Sequence, residues 1–386
     1  MINENYGWDY GDYVLRETAS CILSCISDSQ KVYKIASDEF IILDTTSSDM
    51  TTASNLYDHI CKHINQFIEE NNFAAVFTIS AGILPLPDLS QTGYAELIKR
   101  TDFSLTMAKQ HGRNCCYIFQ EEEYQNFLRI REITNELHSA VNHGFRGFSI
   151  IFQPVMDIRQ DKLTGAEVLI RFTSKKFGPI SPAEFIPLLE TSGLIIPTGR
   201  WFMREAITAC RKIRMQIPDF RVNINVSQVQ ITKSDIITDL ISEMDASGLP
   251  PAAIVIELTE SILLEKNEKA QNFLKELKQA GLQLALDDFG TGYSNFHYLS
   301  ELHPDIVKID RGFTSKAITD KKEYYLLNQF SNMIHNLGLK LCIEGIETED
   351  ELQKMKLLKP DYCQGFYWGQ PCLYDEFRKY FVDVKR

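Results

Sequence analysis

Apolar residues change their spacing along this chain. Over residues 1–120 they recur at helical intervals in "GDYVLRETASCILSCI", "ASNLYDHICKHINQFIEENN" and "YAELIKRTDFSLTMAKQHG", the last ending on Gly112 as a C-cap. Between these lie strand-like runs: "KVYKIASDEFIILDTT", two strands around a tight turn, then "FAAVFTISAGILPL" and "CCYIF". The pattern predicts a small α/β domain over 1–120. The charged stretch "EEEYQNFLRIREITNELHSAVNHG" then predicts a connecting helix over 121–146. From residue 147 eight apolar runs follow in series: "FSIIFQPVM", "AEVLIRF", "FRVNINVS", "AIVIELTE", "LQLALDDFG", "DIVKIDRGF", "LKLCIEGIE" and "DYCQGFYWG". Helical segments such as "KAQNFLKELKQAG" separate most of them. Eight strands in a segment of this length fit a (β/α)8 barrel, which usually takes roughly 250 residues, so 147–386 is expected to be one. A doubly wound open sheet is the alternative, but no glycine-rich nucleotide fingerprint follows the first strand.

Polar residues interrupt these runs at places where a barrel would bring them to one mouth. Glu167 and Arg171 are four apart and share a strand face, as do Asn223 with Asn225 and Lys308 with Asp310. Glu257 lies in "IELTE", the adjacent Asp287 and Asp288 end the fifth run, and Glu344 and Gln364 lie in the seventh and eighth. Each residue alone reads as an ordinary strand-end hydrogen-bonding group. Jointly they point to a site, because acids seldom end otherwise apolar strands. Such hard oxygen donors suit Mg²⁺ or Mn²⁺. Two cations there would serve an in-line phosphoryl displacement, Asp287 bridging them and Asp288 completing the second. Lys308 would orient the attacking water or offset developing charge, and Glu344 would take its proton or hold a metal.

The net charge of −12 argues against general affinity for a nucleic-acid polymer. No run approaches a membrane span and no signal-peptide core opens the chain. Nine scattered cysteines without a CxxC pair predict reduced thiols and a cytoplasmic location. Cys21 and Cys25, four apart on a helix, read as core packing. His59 and His63 have the i,i+4 spacing of a zinc pair, but no Glu lies between them as in HExxH. No third ligand is evident in sequence, so they read as an ordinary helix face.

Over about residues 135–386 the chain resembles the EAL family of cyclic-di-GMP phosphodiesterases. "FQPVMDI", "TGAEVLIRF", "NVS", "ELTES", "DDFGTGYSN", "VKIDRGF", "IEGIET" and "CQGFYWGQP" stand in family order and spacing. The resemblance implies two metal ions, Mg²⁺ or Mn²⁺, on Glu167, Asn225, Glu257, Asp287 and Asp288. It implies a hydrolytic centre at Lys308 and Glu344, substrate contacts from Gln153, Arg171 and Gln364, and a bracing role for Glu260 in the loop after Asp288. The implied activity is hydrolysis of cyclic-di-GMP to linear pGpG, by a homodimer formed through the barrel. One departure is Val168, where the family has alanine. Flanked by Glu167 and Leu169, its side chain is expected to point away from the site, as a tolerated change.

Residues 1–120 resemble the later part of a GGDEF diguanylate cyclase domain, through "NENYGWDYGD", "KIASDEF", "ISAGI" and "RTDFSLTMAKQHGRN". Ala36 and Ser37 replace the turn's two glycines, though Asp38 and Glu39 remain. Ser27 and Gln30 occupy the places of the family's inhibitory RxxD motif. The family's first strand and metal-binding aspartate would lie before Met1. The expected architecture is a (β/α)8 TIM-like barrel (EAL type) preceded by an incomplete α/β GGDEF-like domain that is catalytically inactive and regulatory or dimerising. The competing reading is a catalytically silent cyclic-di-GMP receptor. It is disfavoured because no metal or base position has been lost.

Overall fold

The computed structural model describes residues 2–36, 38–45, 49–70, 77–86, 93–259, 268–290 and 303–382. The chain divides into two compact units, Met1–Arg131 and Glu132–Arg386. Glu260, Ser37 and the 291–295 part of the "DDFGTGYSN" loop lie outside the described residues.

The first unit contains helices α1 (Ile2–Tyr6) and α2 (Trp8–Cys25), strands β1 (Gln30–Lys34) and β2 (Phe40–Asp44), and helix α3 (Met50–Glu70). Strand β3 (Ala81–Ile83), helix α4 (Tyr94–Gln110) and strand β4 (Cys116–Ile118) follow. Strands β1 and β2 form the expected antiparallel hairpin, and β3 pairs with β4 in parallel. Ile22 of α2 meets Ile60 and Ile64 of α3 in a small core, so the apolar stripes of these helices face each other. Gly112 has φ 107°, the left-handed conformation that stops α4 just beyond its last residues. Only three residues of the long run at 73–86 are strand among those described. The charged stretch forms helix α5 (Glu121–Asn142).

The second unit is a closed barrel. Its strands are β5 (Phe148–Asp157), β6 (Lys162–Ser174), β8 (Arg221–Asn225), β9 (Ile254–Thr259), β10 (Gln283–Phe289), β11 (Ile306–Ile309), β12 (Lys340–Ile343) and β13 (Tyr362–Gln364). The ring closes because β5 pairs with both β6 and β13, while the short β7 (Gly178–Ile180) extends β6. Seven strands run parallel, but β5 runs antiparallel to both neighbours. This departs from the all-parallel arrangement of a regular (β/α)8 barrel. The reason is local: residues 158–161 are too few for a crossover helix, and so short a link permits only an antiparallel pair. Asp157 shapes that turn, its carboxylate accepting from the backbone N–H groups of Arg159 and Gln160.

Strand alternation sorts the barrel into layers. Val155, Val255, Ala285, Ile306, Cys342 and Tyr362 point inward and pack together as an apolar floor. Two residues further along each parallel strand stand Glu257, Asp287, Lys308, Glu344 and Gln364. On the antiparallel β5 the order reverses, and Gln153 lies two residues before Val155, paired with Glu167. Tyr362 closes the bottom, its ring under the Arg221 guanidinium and its hydroxyl accepting from Lys340 Nζ at 3.0 Å. Outward-facing residues pack under the helices. Val168 is among them, fully buried in one core cluster with Phe152, Phe202, Ala206 and Ile224. Its side chain thus points away from the mouth, as its flanking residues imply. Val168→Ala should lower the unfolding free energy by about 1–3 kcal/mol, since two methyl groups leave a filled core. Denaturant titration checks this, and an unchanged midpoint would mean the site collapses without loss.

Candidate active site

Each inward polar residue is set by the strand that carries it, and the strand ends bring these residues to one place. Lys308, in the middle of β11, is 1% exposed. Its Nζ lies 2.7 Å from Glu257 Oε1, 3.0 Å from Asp287 Oδ1, 2.8 Å from Glu344 Oε1 and 3.5 Å from Glu167 Oε2. Four strands besides its own therefore contribute to its surroundings. Asn225 Nδ2 donates to Glu167 Oε1 at 3.0 Å and to Glu257 Oε2 at 3.3 Å. Asn223, buried one step deeper on β8, donates to Glu257 Oε1 at 2.8 Å. Gln364 Nε2 joins Glu167 Oε2 at 2.7 Å to Gln153 Oε1 at 2.9 Å, closing the ring across β5 and β13.

The electrostatics follow from burial. Desolvation raises the Glu257 and Glu344 carboxyls, Lys308 opposing it and the neighbouring acids reinforcing it. Desolvation alone would pull the Lys308 ammonium down, but four surrounding carboxylates outweigh it and hold the group charged. Cys342 sits beneath in the apolar floor, where burial keeps its thiol protonated. Oxygen atoms of Glu167, Glu257 and Asp287 come within 4.8 Å of one another. Buried Asp287 Oδ1 and Glu344 Oε1 face Lys308 without hydrogen-bonding geometry. The donors are carboxylates and amides, and such a set with excess negative charge fits hard divalent cations.

Asp288 behaves differently from its neighbour. Adjacent residues of a regular strand point to opposite faces, which would turn one of the two aspartates away. Here the β10–β11 register slips between Leu286 and Phe289, and Asp288 takes φ 56°. Aspartate tolerates that left-handed conformation better than most side chains. The irregularity leaves Asp288 exposed at the rim, where partial desolvation and then Asp287 and Asp310 raise its carboxyl. Arg171 is half-buried near Glu167, its guanidinium donating to the Ile170 carbonyl. Asp310 has a different task from Lys308: it caps the helix Arg311–Thr319, accepting from Gly312 N–H at 2.6 Å.

Several mouth residues escaped reasoning from the strands. An open cleft of about 190 Å³ is lined by Gln153, Glu167, Glu344 and Gln364, and also by Arg311, Glu347 and Phe366. Arg311 pairs with Glu347, and its guanidinium lies over the Phe366 ring. Glu347 and Phe366 lie in loops after strands and Arg311 opens the helix Arg311–Thr319, so strand alternation gives no sign of their direction. The signal available was glycine. Gly345 has φ 76°, and a Cβ there would meet Arg311 Cγ at 2.3 Å; at Gly365 it would meet the Ile346 carbonyl oxygen at 2.0 Å. Just beyond, Thr348 and Glu351 form a capping box that starts the helix Glu349–Lys356 and fixes the loop after Glu344.

Comparison with known proteins agrees with this geometry. The sequence model of the EAL domain matches residues 134–371, and that of the diguanylate cyclase GGDEF domain matches residues 1–115. A bifunctional diguanylate cyclase/cyclic di-GMP phosphodiesterase, MucR of Pseudomonas aeruginosa, is 28% identical over 374 residues, 96% of this chain and 54% of its own length. The cyclic di-GMP phosphodiesterase PdeR of Escherichia coli is 28% identical over 370 residues, covering 96% of this chain and 55% of its own. The chain thus spans about half the length of the curated relatives it matches. Among solved structures, a complex of the PaMucR phosphodiesterase with c-di-GMP superposes with a TM-score of 0.58 at 28% identity, over 64% of this chain and 99% of that one. An EAL domain protein from Listeria monocytogenes gives 0.56 at 26% identity, over 66% and 98%. With most of its length matched by that family and its barrel shared with these structures, the chain belongs to the EAL family, a GGDEF segment preceding the barrel.

Proposed function

We propose that this chain hydrolyses one phosphodiester of cyclic-di-GMP, giving linear pGpG. The observation that carries the reading is the completeness of the buried cluster. The carboxyls of Glu167, Glu257, Asp287 and Glu344 face the one ammonium of Lys308, and Asp288 stands exposed at the rim beside them, an excess of acidic groups over cations. Two divalent cations, Mg²⁺ or Mn²⁺, would balance that excess and would supply a water activated for attack on phosphorus. Glu167, Asn225, Glu257, Asp287 and Asp288 would hold them, a choice supported by the convergence of Glu167, Glu257 and Asp287. For Asn225 to offer its carbonyl oxygen, its amide must turn over from the orientation that now donates to Glu167 and Glu257.

The remaining residues act on the substrate and on protons. Glu344 accepts the proton of the attacking water as its oxygen bonds to phosphorus. The P–O bond to the leaving sugar oxygen breaks, and that oxygen takes up a proton from solvent water. Lys308 stays charged among its carboxylates and offsets the negative charge that builds on the phosphoryl oxygens. Gln153 and Gln364 line the cleft, and Arg171, four residues beyond Glu167 on the same strand, would contact the substrate, its guanidinium suiting a phosphate by its two-pronged donors. Glu260 completes the proposal as a support for the loop after Asp288. Relatives named as phosphodiesterases for this nucleotide, and a relative's barrel solved with it, support the choice of substrate.

The GGDEF segment is proposed to have lost cyclase chemistry and to regulate or dimerise the barrel. Ala36 stands where backbone must approach a nucleotide, and Glu39 lies 3.7 Å from Lys109 on the surface. Nine free cysteines support a reducing, cytoplasmic setting. Among the described residues no helix is long and apolar enough to cross a membrane.

Two measurements check the reading. Purified chain with cyclic-di-GMP and Mg²⁺ or Mn²⁺ should form pGpG, and Asp287→Asn should slow it by at least about 100-fold. Tight binding without turnover in either metal would instead assign a receptor. Lys308→Met, unfolded by urea without metal, should lose about 3–5 kcal/mol, because removing the central cation leaves buried carboxylates uncompensated. A smaller loss would mean that the carboxylates neutralise themselves without it.

A further inference from the structure

The first unit holds a second set of metal-type donors, of another chemical kind. Cys25 is the last residue of α2, and His59 and His63 lie one turn apart on α3. The packing of Ile22 against Ile60 and Ile64 brings the two helices together. As a result the Cys25 sulfur and one nitrogen from each imidazole come within 4.8 Å of one another. The two rings stand with centroids 4.6 Å apart, edge to face. The third ligand that the i,i+4 pair lacks in sequence is thus supplied from 34 residues upstream, by tertiary packing alone.

From this convergence we infer that Cys25, His59 and His63 form a Zn²⁺ site in the first unit. Ligand atoms of a tetrahedral zinc lie roughly 3.3–3.6 Å apart, given Zn–N near 2.0–2.1 Å and Zn–S near 2.3 Å. Closing from a 4.8 Å limit to that spacing asks at most about 1.2–1.5 Å of approach between ligand atoms. Cys25 and His63 are part-buried and His59 is exposed, so the ion reaches the site from solvent. One thiolate and two imidazoles favour zinc over Mg²⁺ or Mn²⁺, the reverse of the oxygen-only cluster in the barrel. On binding, the Cys25 thiol gives its proton to solvent and its sulfur bonds the metal. Three protein ligands leave the fourth position to water or an incoming donor. The bound ion ties the end of α2 to α3 and stabilises the folded unit by mass action.

The test uses the full chain stripped of metal, titrated with Zn²⁺ against a chromogenic chelator and, separately, with Co²⁺ by absorption. The expected result is one tight Zn²⁺ site that excess Mg²⁺ does not displace, and with Co²⁺ a sulfur-to-metal charge-transfer band in the near ultraviolet. Cys25→Ser should abolish that band. His59→Ala, on an exposed side chain that folding does not need, should weaken Zn²⁺ binding by more than about 100-fold, the upper end of the loss from removing an outer-shell partner. Asp287→Asn in the barrel should leave the band in place. Absence of the band, its survival in Cys25→Ser, or unchanged zinc affinity in His59→Ala would each overturn the assignment.

Discussion

The Lys308 ammonium holds together carboxylates that would otherwise repel. Glu257 and Lys308 are essentially removed from solvent, and each charge so buried costs several kcal/mol before pairing returns any of it. The pairing works because three carboxylate oxygens stand within 3.0 Å of one nitrogen, with Asn223 donating to one of the three, on Glu257, and Asn225 and Gln364 satisfying further oxygens. Breaking any one strand's register would move its carboxylate to the outer face and leave the lysine under-compensated. The barrel's closure and the chemistry of its mouth are therefore one constraint.

That constraint is made possible by the layer beneath. Val155, Val255, Ala285, Ile306, Cys342 and Tyr362 exclude water from below and give the polar layer a low-dielectric seat. The two layers are offset by two residues on each strand, so a single strand period generates both. The antiparallel β5 is informative here. Reversing its direction reverses the order of its layers, and Gln153 still arrives beside Glu167 and Gln364. Direction is thus free to change at this strand so long as alternation is preserved.

The two units place metal-type donors by different means. In the barrel the donors come from four strands and are acids and an amide, a hard set at the mouth of a closed sheet. In the first unit they come from two packed helices and include a thiol and two imidazoles. Hardness of donor separates these sets, so an ion suited to one is poorly suited to the other.

Much of this was legible in the chain. Eight apolar runs of strand length, acids near their ends, and the outward direction of Val168 all follow from period-two alternation, which needs no tertiary information. The hairpin that turns β5 around was not read from the apolar runs, although the four-residue link 158–161 is too short for a helix. What the sequence left open depended on contacts between distant segments. Lys308 was visible as a site residue, but its place at the centre of four carboxylates follows from ring closure. Glu347 and Phe366 sit in loops and Arg311 opens a helix, where strand periodicity gives no direction, and only the packing around Gly345 and Gly365 brings them to the cleft. The same is true of Cys25. Local spacing paired His59 with His63, whereas only the docking of α2 on α3 delivered a sulfur to them. Sequence determines which face a residue takes within its own element, because that is set by backbone geometry. Which faces meet is decided by the burial of apolar surface across the whole unit.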